Sequence, residues 1–211
     1  MNKKIHTIQS SNKKEFDEQV NQLLKCGCEL IDNGYEIVKK NKKVIYSQII
    51  ILINCEVGFY ENGKLSYFKN KNENGKDEGP FFSWYKNGQK KWEGTYNDGE
   101  MNGLWNWWHN NGIMKNQRFY KEGKQDGLWT WWFENGDKMS QITYNAGKLD
   151  GLWTEWHENR QKYFRGSYKN GKKNGLLVEW YDNGQMSSKG IYKDGKMISQ
   201  KFWNKDGSLK N

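Results

Sequence analysis

A spacing of 24 residues recurs through most of this chain of 211 residues. Four residue columns keep that spacing independently of one another. They are Gly79, Gly103, Gly127, Gly151 and Gly175; Trp84, Trp108, Trp132, Trp156 and Trp180; Tyr96, Tyr120, Tyr144, Tyr168 and Tyr192; and Gly99, Gly123, Gly147, Gly171 and Gly195. Such a period indicates a repeat array, in which each unit buries its apolar surface against its neighbours. Arrays of this kind typically present a surface rather than an active site.

Two turn signals divide each repeat. The pair Asn111-Gly112, which recurs in four other units, predicts a type I′ hairpin turn, because that turn needs positive φ at both central residues. A second glycine turn lies at residues 121–124 and recurs at 97–100, 145–148 and 169–172. Between the turns lie aromatic-rich segments of strand length. Each repeat is therefore predicted to be one β-hairpin, and the repeats to join as a continuous antiparallel meander.

The sequence leaves open which aromatic residues face inward. Trp105 and Trp108 differ by three positions, so simple alternation places them on opposite faces. Either a bulge separates them or both faces of the sheet are covered. The recurring tyrosine, such as Tyr120, is expected in the core. The glycine column of Gly103 is expected to supply a bulge or a close approach of strands.

Composition supports a folded chain with a basic surface. Hydrophobic residues make up only 35% of the chain, yet aromatic residues make up 16%, with 12 Trp and 12 Tyr. Disordered chains are poor in aromatic residues, and each buried ring removes about 150–250 Å² from water. The formal net charge of +9 serves solubility or attracts an acidic protein, nucleic acid or anionic lipid.

Cysteine usage and apolar runs predict a cytoplasmic, soluble protein. The three cysteines, Cys26, Cys28 and Cys55, are too few for a disulfide framework and suit a reducing compartment. No apolar run follows the basic start of the chain, so no signal peptide is expected. The longest apolar stretch, residues 49–53, is too short to span a bilayer.

Residues 1–57 lack the repeat and predict a separate small βαββ domain, ahead of a repeat domain at residues 58–211. A helix is predicted from the one-sided spacing of Phe16, Val20, Leu23 and Leu24. Strands are predicted at residues 5–9, 29–38 and 44–54. The segment resembles small bacterial βαββ domains of unknown function. It is expected to cap the first edge of the meander, or else to serve docking or dimerisation.

Residues with catalytic or metal-binding chemistry are sparse. His109 and His157 share a repeat column with Tyr85, Phe133 and Tyr181, so this column is interpreted as a packing column. Asp126 shares its column with asparagines, which indicates a turn former rather than a needed charge. We expect no catalytic residues, no metal site and no cofactor.

The repeat motif resembles a known family. Residues 103–126 read Gly-Leu-Trp-x-x-Trp-x-x-Asn-Gly, then Tyr-x-x-Gly-x-x-Asp, which is similar to the variant MORN repeat of bacteria and in particular to the YwqK-type antitoxins. The resemblance covers about residues 58–207. It implies an elongated, twisted antiparallel β-meander. It also implies a non-enzymatic protein that neutralises a toxin encoded beside it.

The favoured function is therefore a protein-binding module, either a toxin-neutralising antitoxin or immunity protein or an inhibitor. Tryptophan and arginine are effective anchors at protein interfaces. On that basis the candidate contact residues are Arg118, Arg160, Arg165, Trp107 and Trp131. Two alternatives stay open: nucleic-acid binding through lysines interleaved with aromatic residues, and anionic-lipid binding as a MORN-type scaffold.

Overall fold

The computed structural model describes residues 3–10, 14, 21, 29–30, 36–40, 43–53 and 55–210. The chain forms two compact units, Met1–Glu100 and Met101–Asn211. The boundary expected between residues 57 and 58 stays a prediction. Of the helix expected around Phe16 to Leu24, only Asn21 lies within the described residues, where it is helical. The complete βαββ arrangement therefore also stays a prediction.

The first sheet is antiparallel and centres on one long strand. Its strands are β1 (Lys3–Ser10), β2 (Glu29–Leu30), β3 (Glu36–Lys40) and β4 (Lys43–Ile53). Strand β4 pairs with each of the other three. Of the strand expected over residues 29–38, the structure describes Glu29–Leu30 as β2 and residues 36–38 as part of β3, and residues 31–35 lie outside the described residues.

The second sheet has 13 antiparallel strands that follow one another in chain order. They are β5 (Cys55–Phe59), β6 (Leu65–Lys71), β7 (Asp77–Trp84), β8 (Lys90–Asn97), β9 (Glu100–Trp108), β10 (Met114–Lys121), β11 (Lys124–Trp132), β12 (Lys138–Asn145), β13 (Lys148–Trp156), β14 (Lys162–Lys169), β15 (Lys172–Trp180), β16 (Met186–Lys193) and β17 (Lys196–Phe202). The predicted mainly-β meander of hairpin repeats is confirmed.

The Asn-Gly turns differ from the type I′ turn that the sequence predicts. In the turn after β9 only Gly112 has positive φ, at 84°, and Asn111 does not. The amide of Gly112 donates to the carbonyl of His109, and the amide of Ile113 donates to the side-chain oxygen of Asn111. This is a type I turn followed by a left-handed glycine, the usual three-residue hairpin loop. The prediction was wrong because the same dipeptide fits both loop lengths.

The second turn of each repeat is the type I′ turn. Glu122 and Gly123, between β10 and β11, have φ of 49° and 71°, and Lys121 pairs with Lys124 across them. The equivalent residues Asp98, Ala146, Asn170 and Asp194 also have positive φ. A two-residue loop requires this geometry, because only a type I′ or II′ turn matches the twist of the flanking strands.

The glycine column of Gly103 supplies bulges, as expected. Gly127 and Gly151 have φ of 65° and 131°, and each lies where the strand register shifts. On the opposite edge of its strand Gly127 pairs directly with Tyr144, and Gly151 pairs with Tyr168. The two columns are thus cross-strand partners, which explains their common period.

Both faces of the sheet carry aromatic side chains. Strand β9 pairs residue by residue from Gly103 to Trp107, so Trp105 and Trp107 share one face and Trp108 points to the other. No bulge separates Trp105 from Trp108; the register shift lies on the partner strand between Met114 and Asn116. Trp105 is fully buried. The two-face alternative is therefore the correct one.

Candidate binding surface

One face of the second unit gathers tryptophans from neighbouring strands around a single arginine. Trp105 and Trp107 of β9 pair with Arg118 and Asn116 of β10. On the other side of β10, Asn116 pairs with Trp131 of β11. Since side chains alternate along a strand, all of these residues project from the same face. We call this face the tryptophan face.

Arg118 is surrounded by three indole rings. Its guanidinium carbon lies 4.7 Å from the ring centroid of Trp107, 5.0 Å from that of Trp129 and 5.6 Å from that of Trp131. Distances below about 6 Å place a cation within the attractive field of an aromatic ring. Trp129 is 3% exposed, whereas Trp107, Trp131 and Arg118 are half-buried. We call these four residues the arginine cluster.

Polar atoms on this face lack partners. Among the described residues Arg118 has no carboxylate within ion-pair distance, and its Nε is buried without a hydrogen bond. Asn116 Oδ1 and Ser140 Oγ are also buried without a hydrogen bond; their residues are 3% and 5% exposed and flank Trp131. Each such group costs free energy unless something supplies the missing partner. The face therefore has unused hydrogen-bonding capacity beside half-exposed indoles.

The surroundings of the cluster are only weakly polar. Burial raises the pKa of Tyr144, while the positive charge of Arg118 opposes that shift. Burial also raises the pKa of Glu155, and the neighbouring indole of Trp153 opposes that shift. Burial raises the pKa of Tyr168 as well, and the charge of Glu155 adds to it. Burial is the largest cause of each of these shifts, because it disfavours the charged form.

Three of the five predicted contact residues come together, and two do not. Trp107, Arg118 and Trp131 belong to the arginine cluster. Arg160 lies at a turn, 78% exposed, and its Nε is 2.9 Å from Asp137 Oδ2. Arg165 is exposed on the opposite face, because its neighbour Gly166 pairs with Trp153 of the tryptophan face.

Sequence reasoning missed Trp129, Asn116 and Ser140. The sequence leaves open which aromatic residues face inward and does not single out Trp129, which lies beneath Arg118. The available signal was the spacing of two between Trp129 and Trp131, which puts both rings on one face of a strand. Asn116 and Ser140 gave no signal, because their importance depends on cross-strand register.

The histidine column combines packing with a hydrogen bond. His109 Nε2 lies 3.1 Å from the carbonyl oxygen of Trp132, and His157 Nε2 lies 3.2 Å from that of Trp180. Because a carbonyl can only accept, the ring nitrogen must donate. Tyr60 and Tyr181 donate in the same way to Trp84 and Trp203. These side chains join successive repeats.

The described residues hold neither a metal-binding cluster nor a membrane-spanning helix. No group of three or more His, Cys, Asp or Glu side chains within the described ranges is placed to hold a metal ion. Within those same ranges, no helix has the length and apolar character needed to cross a membrane.

Comparison with known proteins identifies the repeat. Residues 101–122, 125–146 and 173–194 match the MORN repeat variant. Each matched segment corresponds to one hairpin: β9–β10, β11–β12 and β15–β16. No curated protein matches the chain. Three segments of the chain are thus similar to the MORN repeat variant, as its motif predicts, and the first two of these segments carry the arginine cluster. These repeats are consistent with a non-catalytic binding module.

Proposed function

We propose that this protein is a non-enzymatic module that binds another protein through the tryptophan face. The arginine cluster is the observation that carries the proposal. Trp and Arg dominate the binding energy of protein interfaces, where they lie in well-packed, desolvated positions. Here Arg118 is held rigidly between indoles before any partner arrives, so little conformational entropy is lost on binding.

The buried polar atoms that lack hydrogen bonds favour a partner that is rich in hydrogen-bond donors and acceptors. Asn116 Oδ1 needs a donor, Arg118 Nε needs an acceptor, and Ser140 Oγ can take either. Polypeptide backbone and side chains offer both kinds of group close together. A small adjustment of the half-buried indoles on binding would open these atoms to the partner.

The packing of the rings favours a protein over single-stranded nucleic acid. A base must stack on an open ring face. Trp129 lies beneath Arg118 and packs against Tyr120 and Tyr144, at centroid distances of 5.1 Å and 4.9 Å. Trp107 and Trp131 already direct ring faces at the guanidinium. Little aromatic surface is left for bases to stack on.

Within protein binding, we propose toxin neutralisation or enzyme inhibition as the biological role. The resemblance of the repeat motif to bacterial antitoxins supports this role. So does the net charge of +9, which would speed association with an acidic partner.

A pull-down tests the proposal. Tagged full-length protein is incubated with nuclease-treated native lysate at moderate salt, and co-purifying proteins are identified by mass spectrometry. We expect one protein at near-equal stoichiometry, and we expect co-expression of this module to relieve any toxicity of that protein. Recovery of nucleic acid alone, when nuclease and salt are omitted, would contradict the proposal.

Two arginine variants test the site itself. Arg118→Ala should reduce capture by about tenfold or more, as expected for a central anchor. Arg165→Ala is the matched control, because it removes the same charge from the opposite face. Thermal unfolding of both variants verifies that they are folded. Equal capture by both variants would rule out the arginine cluster as the contact.

A further inference from the structure

The first unit departs from the repeat at two positions. Ser83 occupies the position that Trp107 and Trp131 hold in the next two repeats, each 24 residues further on. Gly94 occupies the position of Arg118. The registers agree, because Ser83 pairs with Trp92 as Trp107 pairs with Asn116. An indole and a guanidinium are therefore missing from this face of the first unit.

A cavity lies beside Ser83, the first of these two positions. Its volume is about 340 Å³, and its walls include Tyr67, Phe81, Ser83 and Trp92. Tyr67 leans away from Ser83 over Gly58, where a Cβ would overlap its ring, and its hydroxyl donates to Glu56 Oε1 at 3.1 Å. Small-molecule sites typically start at volumes of about 300 Å³.

The walls suit a flat aromatic ring. The rings of Phe81 and Trp92 pack against each other with centroids 4.7 Å apart and line the cavity from one side. Tyr67 lines it as well. A ring inserted here would gain the offset or edge contacts that aromatic pairs prefer. In the next repeat the equivalent space is filled by the indole of Trp107.

The polar groups of the cavity suit an anionic ligand with a ring N–H. Ser83 is 4% exposed, and its buried Oγ has no hydrogen-bond partner. Lys69 is neutralised, with its Nζ 3.2 Å from Asp77 and 3.6 Å from Glu56. Lys91 is exposed at the rim, and its ammonium lies 5.6 Å from the ring centroid of Tyr85. It has no carboxylate within ion-pair distance among the described residues.

We propose that this cavity of the first unit binds a small planar aromatic acid of indole size. The ring lies against Trp92 and Phe81 and fills the place of the missing indole. Entry of the ring displaces the side chains that cover Ser83 Oγ, so that its N–H donates to this oxygen, and its acid group faces the ammonium of Lys91. This site lies in the first unit and is independent of the arginine cluster. An experiment that disproves ligand binding here therefore leaves the proposed function untouched, and the reverse is also true.

The test uses indole-3-propionate as the probe, with its uncharged amide as a comparison. Binding to the full-length protein is followed by isothermal titration calorimetry and by the indole N–H signals of Trp84 and Trp92 in NMR spectra. We expect saturable binding at one site and shifts of these signals, with the Trp129 signal unchanged. The absence of saturable binding would overturn the proposal.

Substitutions chosen from the repeat pattern test which residues of the cavity contact the probe. Ser83→Trp installs the residue of the neighbouring repeats and should abolish binding, because it fills the cavity. Lys91→Gln should weaken binding of the acid about two- to fivefold, the range expected for an exposed charge pair, and leave the amide unaffected. Lys115→Gln is the matched control 24 residues further on and should change neither.

Other outcomes count against the proposal. Undiminished binding by a folded Ser83→Trp variant would place the probe elsewhere. Equal losses in Lys91→Gln and Lys115→Gln would indicate general attraction to a basic protein. Should Ser83→Trp not fold, the lysine pair and the wild-type NMR shifts decide the question. Tighter binding of an acidic peptide with one tryptophan than of the free acid would contradict a small-molecule site.

Discussion

Glu155 occupies the repeat position of Trp107 and Trp131, so a carboxyl group stands where the preceding repeats have indoles. Burial raises its pKa above the ordinary value of 4.5, and the neighbouring indole of Trp153 offsets only part of this effect. Because the folded-state pKa is raised, the full contribution of Glu155 to stability is present when the pH lies below the unfolded-state pKa. That contribution is lost as the pH rises through the folded-state pKa. At neutral pH the charged carboxylate of Glu155 therefore destabilises the folded state.

We predict that Glu155→Gln raises the thermal unfolding midpoint at pH 7 and that the gain disappears below about pH 4. Differential scanning calorimetry across this pH range measures the effect. Glu179→Gln is the matched control from the same column; its carboxylate accepts a hydrogen bond from Ser188 at 2.9 Å, so we expect no gain at pH 7. A gain from Glu155→Gln that persists at low pH would show that the charge is not the cause.

Arg160 carries backbone strain that the equivalent turns of the other repeats avoid. It has φ of 70° at the turn position where Gly112, Gly136 and Gly184 have φ between 80° and 88°. An L-residue in this left-handed region costs about 1–2 kcal/mol. Its exposed ion pair with Asp137 stabilises the folded state by at most about 1 kcal/mol.

We therefore predict that Arg160→Gly raises the free energy of unfolding by roughly 0.5–1 kcal/mol. Chemical denaturation with a constant m-value measures this change. Arg160→Lys keeps both the cation and the strain, so it should leave stability nearly unchanged. A loss of stability in the glycine variant would mean that the contact with Asp137 outweighs the strain.

At the scale of the element, each type I′ turn is tied to the preceding repeat. The amide of Ala146 donates to Asp126 Oδ2 at 3.1 Å, and the amide of Gly147 donates to the carbonyl of Gln125 at 2.7 Å. The equivalent side-chain acceptors are Glu78, Asn102 and Asn174. The column of Asp126 therefore lies in strands and supplies an acceptor. Its interpretation as a turn former was wrong.

Removal of this acceptor should loosen one turn. We predict that Asp126→Ala lowers the free energy of unfolding by about 1 kcal/mol, the typical net value of one hydrogen bond. Asp126→Asn keeps a side-chain oxygen, as Asn102 and Asn174 do, and should cost much less. Amide hydrogen exchange at Ala146 should become faster only in the alanine variant. Equal effects of both substitutions would point to charge rather than to the hydrogen bond.

The period and hairpins followed from sequence, whereas the turn types and the site did not. Asn111-Gly112 indicates a turn, but only the observed backbone shows that Asn111 keeps negative φ and that the loop has three residues. The arginine cluster depends on which residues of β9, β10 and β11 are opposite one another. The bulge near Gly127 shifts that register, and a sequence does not state the size of such a shift.

At the scale of the whole molecule, the 24-residue period sets which face each side chain occupies. Deletion of residues 149–172 removes one full period and leaves every later side chain on its original face. We predict a folded, cooperatively unfolding protein with a lower m-value, because less surface is buried. Circular dichroism and urea denaturation measure both properties.

Deletion of residues 149–171 is the matched control, one residue short of a period. A shift of one residue moves every side chain of a strand to the opposite face. This variant should therefore misfold or aggregate. If both deletions behave alike, the period is not what fixes the faces of the sheet.

The central claim is that the tryptophan face around Arg118 is the contact surface for a protein partner. Hydroxyl-radical footprinting of the protein with and without its captured partner tests this claim most directly, since it reports the exposure of individual side chains. We predict that Trp107 and Trp131 lose reactivity in the complex, while Tyr163 and Met197, which are 46% and 59% exposed, keep theirs. Protection of Tyr163 and Met197 with unchanged reactivity of Trp107 and Trp131 would contradict the account.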